Sequence, residues 1–146
     1  MSTVVKRGFA PDDPREFGEQ ARQVLHKAAA DLQYLLDQGY PIKSASTFVG
    51  NHYLLSERQR LALARGVSST ESIMLRKEKQ ITQIPGDSTV HIDGSNTIIT
   101  LEVALSESLL LKCMDGTVRD LVALRGTYRL IDKTETAIDL IGKTLT

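Results

Sequence analysis

The fold turns on one stretch, Thr89-Val90-His91-Ile92-Asp93-Gly94-Ser95-Asn96-Thr97-Ile98-Ile99-Thr100-Leu101-Glu102. It reads as a short buried strand over Thr89–Asp93, a tight turn at Gly94-Ser95, and an apolar helix that Ser95 or Asn96 can cap. In open α/β sheets, ligands bind outside the carboxyl ends of the strands, and Asp93 stands at such an end. The dipole of the following helix favours an anion there. An ionised Asp93 can then hold Mg²⁺ or Mn²⁺, which take oxygen ligands. Equally, Asp93 can serve the turn by bonding the backbone of Ser95 or Asn96. Glu102 is the only charged residue between Gly94 and Ser106. Ile98 and Ile99 precede it by one turn and Leu105 follows by one, which predicts a partly buried carboxylate. Such a group is costly unless it is paired or metal-bound. Fewer than two turns separate Asn96 from Glu102, so a metal shared with Asp93 is one solution. An arginine drawn from Arg119, Arg125 and Arg129 is the other.

Downstream, Ser108 to Cys113 reads as a second strand. Asp115-Gly116 is a strong two-residue hairpin signal, and Thr117-Val118-Arg119 pairs back or extends the sheet. Gly126 marks a bend. The segment from Thr134 to Ile141 is a final amphipathic helix with Thr134 as candidate cap. The order β-α-β-(β)-α predicts a partly parallel sheet with right-handed crossovers. Arg119, Arg125 and Arg129 can grip phosphates through bidentate bonds, and Tyr128 can stack on a base. The competing reading is a set of exposed arginines and one tyrosine at the edge of the core.

Upstream, the chain is helical. Asp13-Pro14-Arg15-Glu16 is a helix start: Asp13 caps, Pro14 suits the first position and Glu16 completes a capping box. Apolar residues at Phe17, Ala21, Val24, Leu25, Ala28, Leu32, Leu35 and Leu36 continue one helix for about seven turns. Gly39 and Pro41 end it. A second helix carries Ile42, Ala45, Phe48 and Val49. A third begins at Ser56, with Gln59 three residues on, and runs to Gly66. The last two resemble a helix-turn-helix, with Lys43, Arg58, Arg60 and Arg65 on or near them. If that motif bound DNA, Glu57, Arg58 and Gln59 would face base edges. A solvated helix surface beside a packed core explains the same charges. Ser68 to Pro85 is a connector in which Ser68-Ser69-Thr70-Glu71 can cap a short helix through Ile73, Met74 and Leu75, and Pro85-Gly86-Asp87 is turn chemistry.

Composition narrows the class. The 146 residues suit one ordinary domain or two small ones, and the net charge is zero. No global field therefore draws the chain to nucleic acid or membrane, and any basic patch must be local. Cys113 is the sole cysteine, which excludes an intrachain disulfide and suits a buried thiol in a reduced compartment. No apolar run has membrane-spanning length and no secretory h-region is present, so the expected location is cytoplasmic. There is no Walker loop and no G-x-G-x-x-G. His26, His52 and His91 have no metal-ligand spacing, and no serine sits in a nucleophile elbow. Zinc chemistry and acyl transfer are therefore not expected.

Two stretches are familiar together. Asp31-Leu32-Gln33-Tyr34-Leu35-Leu36-Asp37-Gln38-Gly39-Tyr40-Pro41-Ile42-Lys43-Ser44-Ala45, followed by Val49-Gly50-Asn51 and Gln59-Arg60-Leu61-Ala62-Leu63, resembles an uncharacterised prokaryotic family with a helical N-terminal domain. The second domain of that family resembles PIN-like or NYN-like nuclease domains, opening on Asp-Gly-x-Asn, here Asp93-Gly94-Ser95-Asn96. Asp115-Gly116-Thr117-Val118-Arg119-Asp120 and Gly126-Thr127-Tyr128-Arg129 are similar to it as well. The resemblance covers most of the chain. It implies an α+β protein: a three-helix, helix-turn-helix-like bundle over 1–67, a linker over 68–86 and a partial PIN-like α/β domain over 87–146. It also implies a metal-dependent phosphodiesterase or ribonuclease, in which carboxylates hold Mg²⁺ or Mn²⁺ and the ion activates water. Asp93 matches the first acid, with Glu102 and Asp120 as further metal ligands and catalytic groups. Lys43, Arg58, Arg60, Arg119, Arg125, Tyr128 and Arg129 would contact RNA or DNA. Such domains usually continue for several more strands and helices, so the chain is expected to be a fragment, a shortened relative or an inactive remnant. The rival expectation is a non-catalytic module binding nucleic acid or protein, or a structural oligomer. The long apolar stripe on the first helix and the small sheet both predict a homo-oligomer, a two-fold dimer first, through Leu25, Leu32 or Leu36 or through Leu109–Cys113.

Overall fold

The computed structural model describes residues 4–123 and 127–146. Seven helices and one hairpin occur in that range: α1 (Asp13–Glu16), α2 (Glu19–Asp37), α3 (Ile42–His52), α4 (Glu57–Gly66), α5 (Thr70–Lys79), α6 (Gly94–Leu105), β1 (Leu110–Lys112), β2 (Val118–Asp120) and α7 (Thr134–Leu145). The class is mixed α and β, mostly helical, with a single two-stranded sheet among the described residues. The parallel sheet expected from the C-terminal half is not formed there. Thr89–Asp93 is not a strand, and its apolar residues Val90 and Ile92 are exposed. A strand needs a hydrogen-bonded neighbour, and no described segment supplies one. Hydrophobic alternation alone therefore leaves this segment irregular.

The chain divides into two compact units that do not follow its linear order. One comprises residues 11–88 and 111–119, the other residues 1–10, 89–110 and 120–146. The expected linker over 68–86 contains α5, capped by Ser69, whose hydroxyl accepts from the backbone of Ser72.

In the helical unit, α2 packs against α3, α4 and α5, and α3 packs against α4. Leu25, Ala28 and Leu32 of α2 meet Ala45 and Val49 of α3, Leu63 of α4, and Leu55 and Val67 beside α4. Leu25 and Leu32, proposed above for a subunit interface, are thus covered within the chain. The single long first helix of the sequence reading is broken. At Gly18 a Cβ would lie 2.6 Å from the carbonyl oxygen of Pro14, so the backbone turns where only glycine fits. Asp13 does not cap. It is buried and forms a two-armed pair with Arg58, Nε to Oδ1 at 2.5 Å and Nη2 to Oδ2 at 2.8 Å. Glu16 also turns across the unit: its carboxylate accepts from Ser56 Oγ at 2.9 Å, and its carbonyl from Gln59 Nε2 at 2.7 Å. The third helix starts where Ser56 and Gln59 placed it, and the two residues form a reciprocal capping box on α4.

The hairpin expected at Asp115-Gly116 is present, and residues 111–119 belong with the helices. Met114 packs on the helical core, and its backbone N donates to Gly66 O at 2.9 Å. In the other unit α6 packs on α7, and Ile99, Val103, Leu121 and Ala137 are buried.

Candidate functional site

Asp93 is the N-cap of α6, exposed, and its carboxylate accepts from Asn96 N at 3.4 Å and Asn96 Nδ2 at 2.6 Å. It thus fills the turn role foreseen for it. Asp120 accepts from Thr100 Oγ1 at 2.7 Å and from Val122 N at 2.9 Å. Glu102 is 0% exposed. One of its oxygens accepts from the Tyr128 hydroxyl at 2.6 Å and from Thr134 Oγ1. The other lies 2.7 Å from Arg7 Nε in a close ion pair that is not aligned as a hydrogen bond. Asp93 and Glu102 are not brought together, because nine residues of helix separate them by on the order of 13 Å. Among the described residues no group of three or more His, Cys, Asp or Glu is placed to hold a metal ion. This arrangement does not offer the gathered oxygen ligands that Mg²⁺ or Mn²⁺ takes.

Arg7 is the partner that sequence reasoning missed. It sits 95 positions before Glu102, whereas the arginines considered for the pairing all followed the acid. Its guanidinium lies over the Tyr128 ring, 4.9 Å from the centroid, and also donates to the carbonyl of Arg129. Tyr128 therefore stacks on its own chain's arginine. Burial, and then the bond to Glu102, push its phenol above the ordinary tyrosine value.

The basic residues proposed for nucleic acid are similarly divided. Arg58 is held by Asp13, and Arg60 donates from Nε to Leu55 O and from Nη1 to Asn51 Oδ1, both at 2.9 Å. Lys43 on α3, Arg119 on β2 and Arg129 in the segment before α7 are exposed. Arg125 lies outside the described residues, as does the bend expected at Gly126.

A different feature stands out on the helical unit. An open, mostly apolar groove of about 240 Å³ runs between α2 and α3, lined by Asp31, Tyr34, Leu35, Phe48, Val49, His52 and Tyr53. Leu35 and Val49 form its floor against the core. Tyr34 and Phe48 are 64% and 67% exposed. The His52 and Tyr53 rings meet edge to face at 4.8 Å, and the Tyr53 hydroxyl donates to Asp31 Oδ2 at 2.5 Å. That bond raises the Tyr53 phenol above its ordinary value. The sequence carried a faint signal for the groove. Tyr34 lies off the Leu25–Ala28–Leu32 stripe, so a large ring falls on a face the core does not use. Phe48 shares helical spacing with Ala45 and Val49, but its ring points outward.

Comparison with known proteins divides the chain near residue 80. Residues 24–79 match a family described as a protein of unknown function (DUF434), and residues 81–146 match a domain of unknown function (DUF5616). Its similarity is thus to uncharacterised families. Over 119 residues, 80% of this chain, the sequence is 35% identical to an uncharacterized protein of Methanocaldococcus jannaschii, 57% of which is covered. The chain therefore spans little more than half the length of that relative. Neither family description names a PIN-like or NYN-like domain. No solved structure matches the chain. No described helix is long and apolar enough to cross a membrane.

Proposed function

We propose that this chain is a non-catalytic binding module that docks a partner protein through the α2/α3 groove. The observation that carries this reading is the pair of exposed rings, Tyr34 and Phe48, on either side of an apolar floor. Exposed aromatic residues over a small pocket are the usual anchors of protein interfaces. The fates of the other candidates support it. Glu102 is neutralised by Arg7, Asp93 and Asp120 bond neighbouring groups of their own chain, and Arg58 and Arg60 are spent on internal contacts. These bonds favour a binding module over the metal-dependent nuclease.

The test has two arms. Labelled RNA and DNA incubated with the protein and Mn²⁺ should remain intact. Cleavage that disappears in Asp93→Asn would return the nuclease reading. In the second arm a photoreactive phenylalanine analogue replaces Phe48, or Ile138 as control. A partner captured only at position 48, then purified, should lose about tenfold or more in affinity for Phe48→Ala. Equal capture at both positions, or unchanged affinity, would sink the docking site.

A further inference from the structure

We propose that the α2/α3 groove receives an arginine side chain presented by the partner polypeptide, an assignment that rests on the binding-module reading above. Size comes first. The groove holds about 240 Å³, below the roughly 300–1,000 Å³ typical of clefts for drug-sized ligands. It therefore suits one long side chain rather than a cofactor.

Charge decides which one. Asp31 is exposed on the groove's rim, one carboxylate oxygen accepting from Tyr53 and the other without a hydrogen-bond partner among the described residues. A phosphate-bearing ligand would be repelled by this carboxylate. A purely apolar side chain would cover the rim and strip water from Asp31 without replacing its hydrogen bonds, which is unfavourable. A guanidinium satisfies both parts of the site. Its planar face stacks on Tyr34 or Phe48, and its edge donates to the free oxygen of Asp31. A lysine ammonium brings the charge but is more strongly hydrated and has no planar face to stack. The bond from Tyr53 to Asp31, with His52 packed against Tyr53, holds the acid in place before any ligand arrives.

The experiment follows the aromatic NMR signals of Tyr34, Phe48 and Tyr53 in the full chain. Capped glycine-rich pentapeptides are titrated in, each with arginine, citrulline, lysine or phenylalanine at the centre. Citrulline keeps the shape of arginine and lacks its charge. The arginine peptide should shift the groove signals saturably, and citrulline should bind about tenfold more weakly, the effect of losing a charged hydrogen bond. Asp31→Asn should weaken the arginine peptide by a similar factor, and Phe48→Ala by about two- to fivefold, the exposed cation–π range. Tyr53→Phe should weaken the arginine peptide less than Asp31→Asn does, because it removes the bond that positions the carboxylate but keeps its charge. Equal binding of arginine and citrulline, or no effect of Asp31→Asn, overturns the assignment, and lysine matching arginine overturns the guanidinium. If the phenylalanine peptide binds best, the cation falls while the module stands. If no peptide shifts the groove, the arginine assignment is lost, and the module is judged separately by the partner captured at position 48.

Discussion

Glu102 shows how a residue can be legible as unusual, and as needing an arginine or a metal, while the identity of its partner is not. Its isolation among apolar neighbours announced burial and the need for a partner. The partner's identity was not legible, because an ion pair across most of the chain leaves no local spacing to read. The pair is covered on both sides, with side-chain exposures of 9% for Arg7 and 0% for Glu102. Removing one member of such a pair strands a charge in a low-dielectric interior. Glu102→Ala should therefore lower the unfolding free energy by about 3–5 kcal/mol. Combining it with Arg7→Met should restore much of that loss, since the orphaned charge is gone. Asp93→Asn should change stability by only a few tenths of a kcal/mol, roughly, because asparagine caps helices as well as aspartate. Urea titrations of the variants decide the matter, and a Glu102→Ala midpoint near that of the unmodified chain would refute the account. Gly50 offers a second case. A Cβ there would lie 2.5 Å from Arg60 Nη1, so Gly50→Ala must push the guanidinium off Asn51 and Leu55. It should cost about 1–3 kcal/mol as an overpacking change. In an Arg60→Ala background the same substitution should stabilise by up to about 1 kcal/mol, the ordinary helix preference for alanine. A cycle without that reversal of sign would show that Arg60 is not what excludes the side chain.

At the level of elements, the sequence was legible wherever the cause was local. The stop at Gly39, the helix start at Ser56, the short helix after Ser69 and the hairpin at Asp115-Gly116 all rest on residues within one turn of each other. It was not legible where the cause was tertiary. Asp13 has the chemistry of a cap, but a two-armed bond to Arg58 outcompetes a backbone amide. The α2/α3 groove was hidden for the same reason, since exposure of Phe48 depends on which face the core occupies. The hairpin tip carries its own pH dependence. Asp115 accepts from Thr117 Oγ1 and N and from Arg76 Nη1, which ties the turn to α5. The Thr117 hydroxyl bond is the first cause holding its carboxyl below the usual value, with Arg76 adding to it. A lowered folded-state value means stability that is complete above the unfolded value of about 4 and lost as pH falls through the lowered one. Thermal melts should thus show Asp115→Asn less stable than the parent at pH 7, with the gap closing toward pH 3. A gap that stays constant over that range would contradict the assignment.

For the whole molecule, the division between the two matched families near residue 80 is not a seam of the fold. The C-terminal part lends residues 111–119 to the helical unit, and residues 1–10 belong with α6 and α7. A fragment ending at residue 80 loses Met114 from its core, and one beginning at residue 81 strands Glu102 without Arg7. Neither fragment should unfold as cooperatively as its counterpart in the intact chain. Deleting residues 1–10 should erase hydrogen-exchange protection in α6 and α7 while α2, α3 and α4 keep theirs. Full protection of α6 in the truncated chain would show that Arg7 is dispensable.

The pairing of Arg7 with Glu102 also sets a clock. A growing chain exposes Arg7 long before its acid exists. At translation rates of about 5–20 residues per second the wait is on the order of 5–20 s. Throughout it the N-terminal segment, with Val4, Val5 and Phe9, has no native site to occupy. The helical unit also waits, for the hairpin tip, but its helices can pack on one another first. Synthesis thus imposes an order on the two units: residues 11–88 collapse early, and the segment just before them, although made first, is among the last to reach its place.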